Sequence, residues 1–319
     1  MEYRRRKNMK KDDFAKGIQE FMEGRRNLAE LSQELPDGYM ELTACYVLPG
    51  IFLACNDVHA KTVPCNKENM PEELLLINYC MQGRCEFKVD EDGYNYVDNN
   101  MMNITTQMAQ DYFYYPSSYY VGYEVYVLPV MFTEETEKAL ELFDIEIEAM
   151  RRTYERGAAF YASDAMLKLW NHIAEAMNAG NTGQLRLDVL QILKYFQDYQ
   201  PLTPVNTMYL SKAQTTLAKR AQAMLVKDLS RHLPVKLVAE QLGVSETSLK
   251  RYFRFVYGAN ISTYMNEVRM KHAAGLLAET GFSISDIAKA CGYVNQGRFA
   301  RVFREYYGMK PLDYRRINR

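Results

Sequence analysis

The chain has 319 residues, of which 48% are hydrophobic and 25% are charged, and its formal net charge is −1. A length of this order predicts two domains with packed cores. No run approaches the roughly 18 consecutive apolar residues that a membrane span requires. A signal peptide has an apolar stretch after its basic start, and no such stretch follows the basic segment 1–7. We therefore expect a cytoplasmic protein that makes no contact with membranes.

The near-neutral total hides an uneven distribution of charge. Residues 212–319 contain 19 Lys and Arg against 8 Asp and Glu, a net charge of +11. Residues 1–211 contain 20 and 32, a net charge of −12. A strongly basic segment favours contact with phosphate groups. The sequence thus predicts one part that meets nucleic acid and another part with a different task.

Few residues suggest metal, cofactor or catalytic chemistry. His59 is the one histidine in the β-rich part of the chain, so no cluster of histidine and carboxylate metal ligands is predicted there. A glycine-rich phosphate loop and a nucleophile elbow are also missing from the sequence. No C-x-x-C pair occurs, and we expect the six cysteines to be free thiols. The sequence favours a protein that is not an enzyme and that uses no cofactor or metal.

The N-terminal part changes its pattern near residue 36. Residues 1–35 are predicted to be helical and polar. From about 39 to 130 the chain consists of short β-rich runs, such as 74–81 and 85–89 with a turn at 82–83 between them. Strands joined by tight turns are typical of an antiparallel barrel or sandwich.

An aromatic segment, residues 112–126, ends this β-rich region. It contains seven tyrosines and one phenylalanine. These rings can line a pocket for a small molecule, or they can pack the wall and surface of the barrel. The candidates for ligand contact are Tyr112, Tyr114, Tyr119 and Tyr123.

Helical periodicity returns between residues 133 and 199. Segments 165–177 and 185–199 have the spacing of amphipathic helices, which can pair across a dimer or pack on the barrel. Pro201 and Pro204 then interrupt the helical pattern. We interpret residues 201–211 as a linker.

The last hundred residues contain the same spacing twice. From a first alanine, the intervals are 4, 6, 4, 5 and 6 in one copy and 4, 7, 4, 5 and 6 in the other. Each copy is predicted to be a helix-turn-helix, because the alanine allows close helix crossing and the following glycine tolerates positive φ. Such a unit lays its second helix in the major groove of DNA. The copies are Ala239, Gly243, Leu249, Phe253, Gly258, Tyr264 and Ala288, Gly292, Phe299, Phe303, Gly308, Tyr314.

Within each copy, helical spacing separates the core residues from the DNA-facing ones. Leu249 and Phe253 form an inward i,i+4 pair in the first unit, and Phe299 and Phe303 do so in the second. Exposed arginine, lysine, glutamine and threonine side chains suit base edges and phosphates. The predicted DNA contacts, including the two N-cap residues, are Ser245, Thr247, Lys250, Arg251, Arg254, Asn295, Gln296, Arg298 and Arg301, with Arg304 further along.

A continuous helix is predicted from residue 261 to about 278, between the two units. A helix of ~18–20 residues spans about 30 Å. This length approaches the ~34 Å between successive major grooves on one side of DNA. One chain can therefore read two consecutive grooves of double-stranded DNA.

About 100 C-terminal residues closely resemble the AraC/XylS family of bacterial transcription regulators. The resemblance rests on residues 243–254, 286–305 and 308–315. Gly297 departs from the family pattern, which usually has a polar residue there, and Lys310 precedes Pro311 where Ser or Thr is usual. The resemblance implies a cupin-like effector domain followed by helices that dimerise or transmit a signal. It also implies RNA polymerase as a partner and a tendency towards activation.

These observations predict an α+β protein. Residues 1–200 are expected to form a domain for effector sensing and dimerisation, with a cupin-like antiparallel β-barrel at about 39–130 and helices at about 133–199. Residues 212–319 are expected to form an all-α domain with two helix-turn-helix units. The predicted function is sequence-specific transcription regulation, with activation controlled by a small molecule. The alternative is an architectural DNA-binding protein without an effector.

Overall fold

A computed structural model describes residues 11–65, 73–88, 93–106, 111–155, 157–198 and 209–318. The chain divides into two compact units, Met1–Tyr209 and Leu210–Arg319. Most of the predicted linker, residues 201–208, lies outside the described residues.

The first unit combines a β-sheet with helices that pack on both of its faces. Its helices are α1 (Lys11–Met22), α2 (Glu134–Leu142), α3 (Ile147–Thr153), α4 (Asp164–Asn178) and α5 (Thr182–Asp198). Its strands are β1 (Leu28–Leu35), β2 (Gly38–Leu48), β3 (Ile51–His59), β4 (Thr62–Pro64), β5 (Leu75–Lys88), β6 (Gly93–Asp98), β7 (Met101–Thr105), β8 (Tyr112–Tyr114), β9 (Tyr120–Val127) and β10 (Ala158–Tyr161).

The strands form a nearly closed antiparallel β-barrel, which confirms the predicted fold class. Strands β1, β2, β3, β9 and β5 are neighbours in that order. The long strand β5 also pairs with β6, β7 and β8, while β4 pairs with β8 and β10 with β7. Strand β9 and the first half of β5 are buried on both faces, which explains their almost continuous apolar sequences.

Two local predictions in this unit are wrong. The helical prediction for residues 1–35 is confirmed for α1 but wrong for Leu28–Leu35, which form strand β1 and pair along their whole length with β2. The predicted turn at residues 82–83 is instead a bulge within β5, where the register with β9 shifts between Cys80 and Gln82. Gly83 has φ of 88° there, and a Cβ atom would lie 2.2 Å from the Tyr119 carbonyl oxygen. A bulge thus replaces the hairpin.

The two faces of the sheet belong to two different apolar cores. One face packs against α4 and α5, whose predicted amphipathic character is confirmed. There the Trp170 indole stacks on the ring of Tyr79, with centroids 5.1 Å apart, and lies 5.9 Å from that of Tyr123. The other face is enclosed by strands β1 to β9 and by α1, and it forms the barrel interior.

The barrel interior contains a buried polar cluster, which we define as Asn78, Tyr120, Glu124 and Tyr126. The carboxamide nitrogen of Asn78 donates to the Tyr120 hydroxyl at 2.7 Å and to the Glu124 carboxylate at 3.1 Å. The Tyr126 hydroxyl donates to the second Glu124 oxygen. Burial raises the pKa of Glu124, although these hydrogen bonds and one with Asn56 oppose the shift.

This polar cluster predicts a pH-dependent stability for the first unit. A carboxyl whose pKa is raised on folding holds its proton in the folded chain while the unfolded chain releases it. Stability relative to Glu124→Gln should therefore be greatest below pH 4.5, the ordinary value, and should fall as pH rises through the raised pKa. Urea unfolding followed by Trp170 fluorescence at several pH values measures this difference. A difference between the two chains that stays constant with pH would contradict the assignment.

The second unit is helical apart from the two-residue strand β11 (Leu210–Ser211). The helices are α6 (Lys212–Val226), α7 (Val235–Gln241), α8 (Glu246–Tyr257), α9 (Ile261–Glu279), α10 (Ile284–Ala290), α11 (Gln296–Tyr307) and α12 (Pro311–Ile317). The continuous helix predicted between the two helix-turn-helix motifs is confirmed as α9. Asn260 caps α9, with its side-chain oxygen accepting from the Thr263 backbone at 2.9 Å.

Each half of this unit is built around the same aromatic triad. In the first triad, the ring of Phe253 lies 4.4 Å from Tyr257 and 5.3 Å from Tyr264, with interplanar angles of 34° and 79°. In the second triad, Phe303 lies 4.7 Å from Tyr307 and 5.4 Å from Tyr314, with angles of 34° and 83°. The repeated spacing of the sequence is thus a repeated packing arrangement.

The triads predict the effect of removing either phenylalanine. Phe253 and Phe303 are both completely buried, so Phe253→Ala and Phe303→Ala should each lower the free energy of unfolding by ~3–5 kcal/mol. Thermal or urea unfolding measures the loss. Leu312→Ala is a control, because Leu312 is 52% exposed and its loss should change stability by no more than ~0.5 kcal/mol. Equal stability of all three variants would place the phenylalanines outside the core.

Candidate nucleic-acid interface

The first candidate recognition helix, α8, follows a tight turn after α7. Gly243 at the turn has φ of 69°, a conformation that favours glycine. The next backbone N–H, that of Val244, donates to the Ala239 carbonyl at 3.0 Å. Ser245 then caps α8, as predicted, with its hydroxyl accepting from the Ser248 N–H at 3.1 Å.

The predicted DNA contacts of the first helix-turn-helix lie on the exposed side of α8. The core of this helix is formed by Leu249 and Phe253, both fully buried. Exposed side chains on the same helix and its cap are Ser245, Thr247, Lys250, Arg251 and Arg254.

Two of these cations already have partners on the same helix. The Lys250 ammonium lies 2.6 Å from a carboxylate oxygen of Glu246. The Arg251 guanidinium lies 5.3 Å from the ring centroid of Tyr252, and a hydrogen bond with Arg251 lowers the pKa of that phenol. The Tyr252 hydroxyl also accepts from Gln214 on α6, at 3.4 Å. Arg251 therefore lies beside a phenol that is tied to the rest of the unit.

The second candidate recognition helix, α11, repeats this construction with one more residue in the turn. Gly292 has φ of 77°, and the following N–H, that of Tyr293, donates to the Ala288 carbonyl at 2.9 Å. Val294 comes next, and only then does Asn295 cap the helix by accepting from the Arg298 N–H at 3.0 Å. The interval that is longer by one residue in the second copy is thus explained by an extra residue in the turn, between Tyr293 and the cap.

The exposed side of α11 carries the predicted contacts of the second helix-turn-helix. Phe299 and Phe303 are fully buried, which directs the intervening residues outward. The Arg301 guanidinium is 3.8 Å from Glu305, a distance that leaves it a weak and solvent-exposed ion pair. The exposed residues at the cap and along the helix are Asn295, Gln296, Gly297, Arg298, Arg301 and Arg304.

Helix α9 packs against both recognition helices and against α10 and α12. Its 19 residues correspond to a length of about 28 Å at 1.5 Å per residue. Met270, Ala273, Ala274 and Leu277 are buried along it. A single rigid helix thus joins the two halves of the unit.

The structure does not bring the four candidate effector tyrosines together on the interior face of the barrel. Tyr112 is 49% exposed, and Tyr123 packs beneath α4 beside Trp170. The Tyr119 hydroxyl donates to Gln82 at 3.0 Å near the exposed rim. Tyr114 is buried, with the Lys61 ammonium 5.8 Å from its ring centroid. Side chains alternate along a strand, so in β9 it is Tyr120, Glu124 and Tyr126 that face inward.

The described residues contain no candidate metal centre and no helix suited to a membrane. They contain no group of three or more His, Cys, Asp or Glu placed to hold a metal ion. No helix among them is long and apolar enough to cross a bilayer. The six cysteines are free, and burial raises the pKa of the Cys291 thiol to about 11.

These features define a tandem helix-turn-helix domain. A family model described as a helix-turn-helix domain matches residues 238–317. This match supports the resemblance of these residues to the AraC/XylS family of transcription regulators.

Relatives of known name match a limited part of the chain. The transcriptional activator RhaR of Klebsiella pneumoniae is 36% identical over 103 residues, 32% of this chain and 37% of that protein. RhaR of Yersinia pseudotuberculosis is 44% identical over 70 residues, 22% of this chain and 24% of that protein. The chain therefore spans 37% of the length of the first relative and 24% of the length of the second.

Solved structures match over a similar share of the chain. The C-terminal domain of AraT, a response regulator from Geobacillus stearothermophilus, has 33% identity and covers 32% of this chain and 84% of its own, with a TM-score of 0.31. An AraC-type regulator from Chromobacterium violaceum has 28% identity and covers 31% and 89%, with a TM-score of 0.30.

The exposed arginines of α11 give a direct test of the interface. Arg298→Ala and Arg301→Ala should each weaken binding to a preferred duplex by ~1–3 kcal/mol if the arginine makes a bidentate base contact. Arg152→Ala, which removes an exposed arginine of α3, is the control and should have no effect. Electrophoretic mobility shifts measure affinity, and circular dichroism checks the fold. Unchanged affinity in both α11 variants would show that this face does not meet DNA.

Proposed function

We propose that this protein is a sequence-specific DNA-binding transcription regulator. The observation that carries the proposal is the pair of recognition helices, α8 and α11, each with buried aromatic residues on one side and exposed cations and amides on the other. Arginine and glutamine in such positions suit guanine and adenine edges. Rigid connection through α9 lets both helices engage one duplex, with two successive major grooves as the proposed site.

The charge of the second unit supports the same proposal. Residues 210–319 carry a net charge of +11, against −12 for the rest of the chain. Neutralisation of DNA phosphates releases counterions and supplies affinity that does not depend on sequence. The basic unit thus provides the general attraction, while the two exposed helix faces provide selectivity.

Activation through contact with RNA polymerase is part of the proposal. The relatives from Klebsiella pneumoniae and Yersinia pseudotuberculosis are named as transcriptional activators. A homodimer and a cytoplasmic location are also proposed. The apolar faces of α4 and α5 are buried against the barrel, so a dimer would have to use another surface of the first unit.

DNA binding should reside in the second unit and depend strongly on salt. We expect residues 205–319 to bind duplex DNA and residues 1–200 not to. Affinity should fall at least tenfold between ~50 mM and ~200 mM salt, since several phosphate contacts are predicted. Fluorescence anisotropy with a labelled duplex measures both properties. Binding by the N-terminal fragment alone, or binding that is flat with salt, would overturn the proposal.

We further propose that a small organic molecule binds at the polar cluster in the barrel and controls DNA binding. Asn78 is completely buried, and its side-chain oxygen has no hydrogen-bond partner in the described part of the chain. A buried acceptor without a donor costs ~1–3 kcal/mol. A ligand hydroxyl or N–H group would satisfy it, with the Glu124 carboxylate beside it. This interior cluster replaces the four tyrosines as the proposed effector site.

A ligand screen distinguishes this proposal from the architectural alternative. Thermal shift of the full chain against a panel of sugars, polyols and amines should identify a stabilising compound. That compound should change duplex affinity, and duplex should change its affinity by the same factor. Asn78→Leu should lose the response to the compound while keeping basal DNA binding. A panel without any effect on melting or duplex affinity would favour the effector-independent architectural function.

A further inference from the structure

The two helix-turn-helix units differ by one residue, and that residue is Val294. In both turns a glycine with positive φ is followed by an N–H that donates to the alanine carbonyl of the preceding helix, from Val244 in one unit and Tyr293 in the other. The N-cap Ser245 follows Val244 directly. In the second unit Val294 stands between Tyr293 and the N-cap Asn295.

This additional residue has an apolar side chain with no contact to the core. The relative exposure of Val294 is 102%, the highest among the exposed large hydrophobic residues that the structure describes. By comparison, Val244 in the first turn is half-buried. Folding of the unit therefore gains nothing from the isopropyl group of Val294, and a smaller residue would be tolerated there.

The position of Val294 gives its exposure a use. It directly precedes Asn295 and Gln296 at the start of α11, the end of a recognition helix that meets base edges. Gly297 has no side chain to cover this end of the helix. Among the base edges of the major groove, only thymine presents an apolar group, its C5 methyl. An exposed valine beside amide and guanidinium groups is complementary to that methyl.

We propose that Val294 packs against the C5 methyl of a thymine and makes the second helix-turn-helix select thymine at one position of its DNA site. This inference rests on the proposed DNA-binding function. It assigns the extra residue of the second turn a role in specificity that the first turn, with its shorter spacing, lacks.

The test uses the full chain and removes the apolar group from one side of the contact at a time: the C5 methyl of the thymine or the isopropyl group of Val294. A preferred duplex is first selected from a random pool, and each thymine is then replaced singly by deoxyuridine, which lacks only the C5 methyl. One replacement should weaken binding about fourfold, the effect of burying one methyl-sized apolar group. Val294→Ala should weaken binding to the unmodified duplex similarly and should be insensitive to deoxyuridine at that position.

Controls separate this inference from the underlying function. Val130→Ala removes an exposed valine of the N-terminal compact unit, far along the chain from both helix-turn-helix motifs, and should keep the full sensitivity to deoxyuridine. If the chain selects no duplex at all, the proposed function itself fails. If it binds a selected duplex but no thymine replacement depends on Val294, the inference fails alone. Lower transcription by Val294→Ala with unchanged duplex affinity would also overturn it and assign Val294 to a protein contact.

Discussion

The aromatic triads of the second unit are the packing on which its surface depends. Phe253 and Phe303 are each held by two tyrosines at nearly the same distances and angles in the two halves. A buried ring so constrained fixes the rotation of its helix about the helix axis. The exposed side of α8 or α11 is then determined by helical geometry, because residues between the buried positions have no other direction to take.

The packing repeated in the two halves of the second unit also explains where these halves are able to differ. An extra residue inside either recognition helix would rotate one part of the helix against the other and break the triad. The turn before the N-cap has no such constraint, because Asn295 restarts the helix wherever it occurs. The additional residue therefore lies in the turn, and its side chain lies in solvent. One scaffold thus presents two chemically distinct faces without a change in its core.

Much of the second unit was predictable because its signals are local. Gly243, Ser245 and Asn295 have the predicted turn and cap roles, and all of these contacts lie within a few residues along the chain. In the first unit the decisive contacts are distant: Asn78 and Glu124 are 46 residues apart. Alternation along a strand shows that two faces exist, but it does not show which face is the interior. Of two neighbouring residues on β9, Tyr123 packs beneath α4 and Glu124 faces the interior. The extra residue of the second turn, Val294, left only a weak signal in the sequence, a single unequal interval between the two copies.

The stacking of Trp170 on Tyr79 has a practical consequence for spectroscopy. Trp170 is the protein's one tryptophan, and it belongs to the first unit, whereas the second unit has tyrosines but no indole. Excitation at the red edge of the protein's absorption therefore reports on the packing between the barrel and its helices alone. Far-ultraviolet circular dichroism of the backbone, to which both units contribute, reports on the whole chain. Comparing the two signals separates melting of the first unit from that of the second without any introduced label.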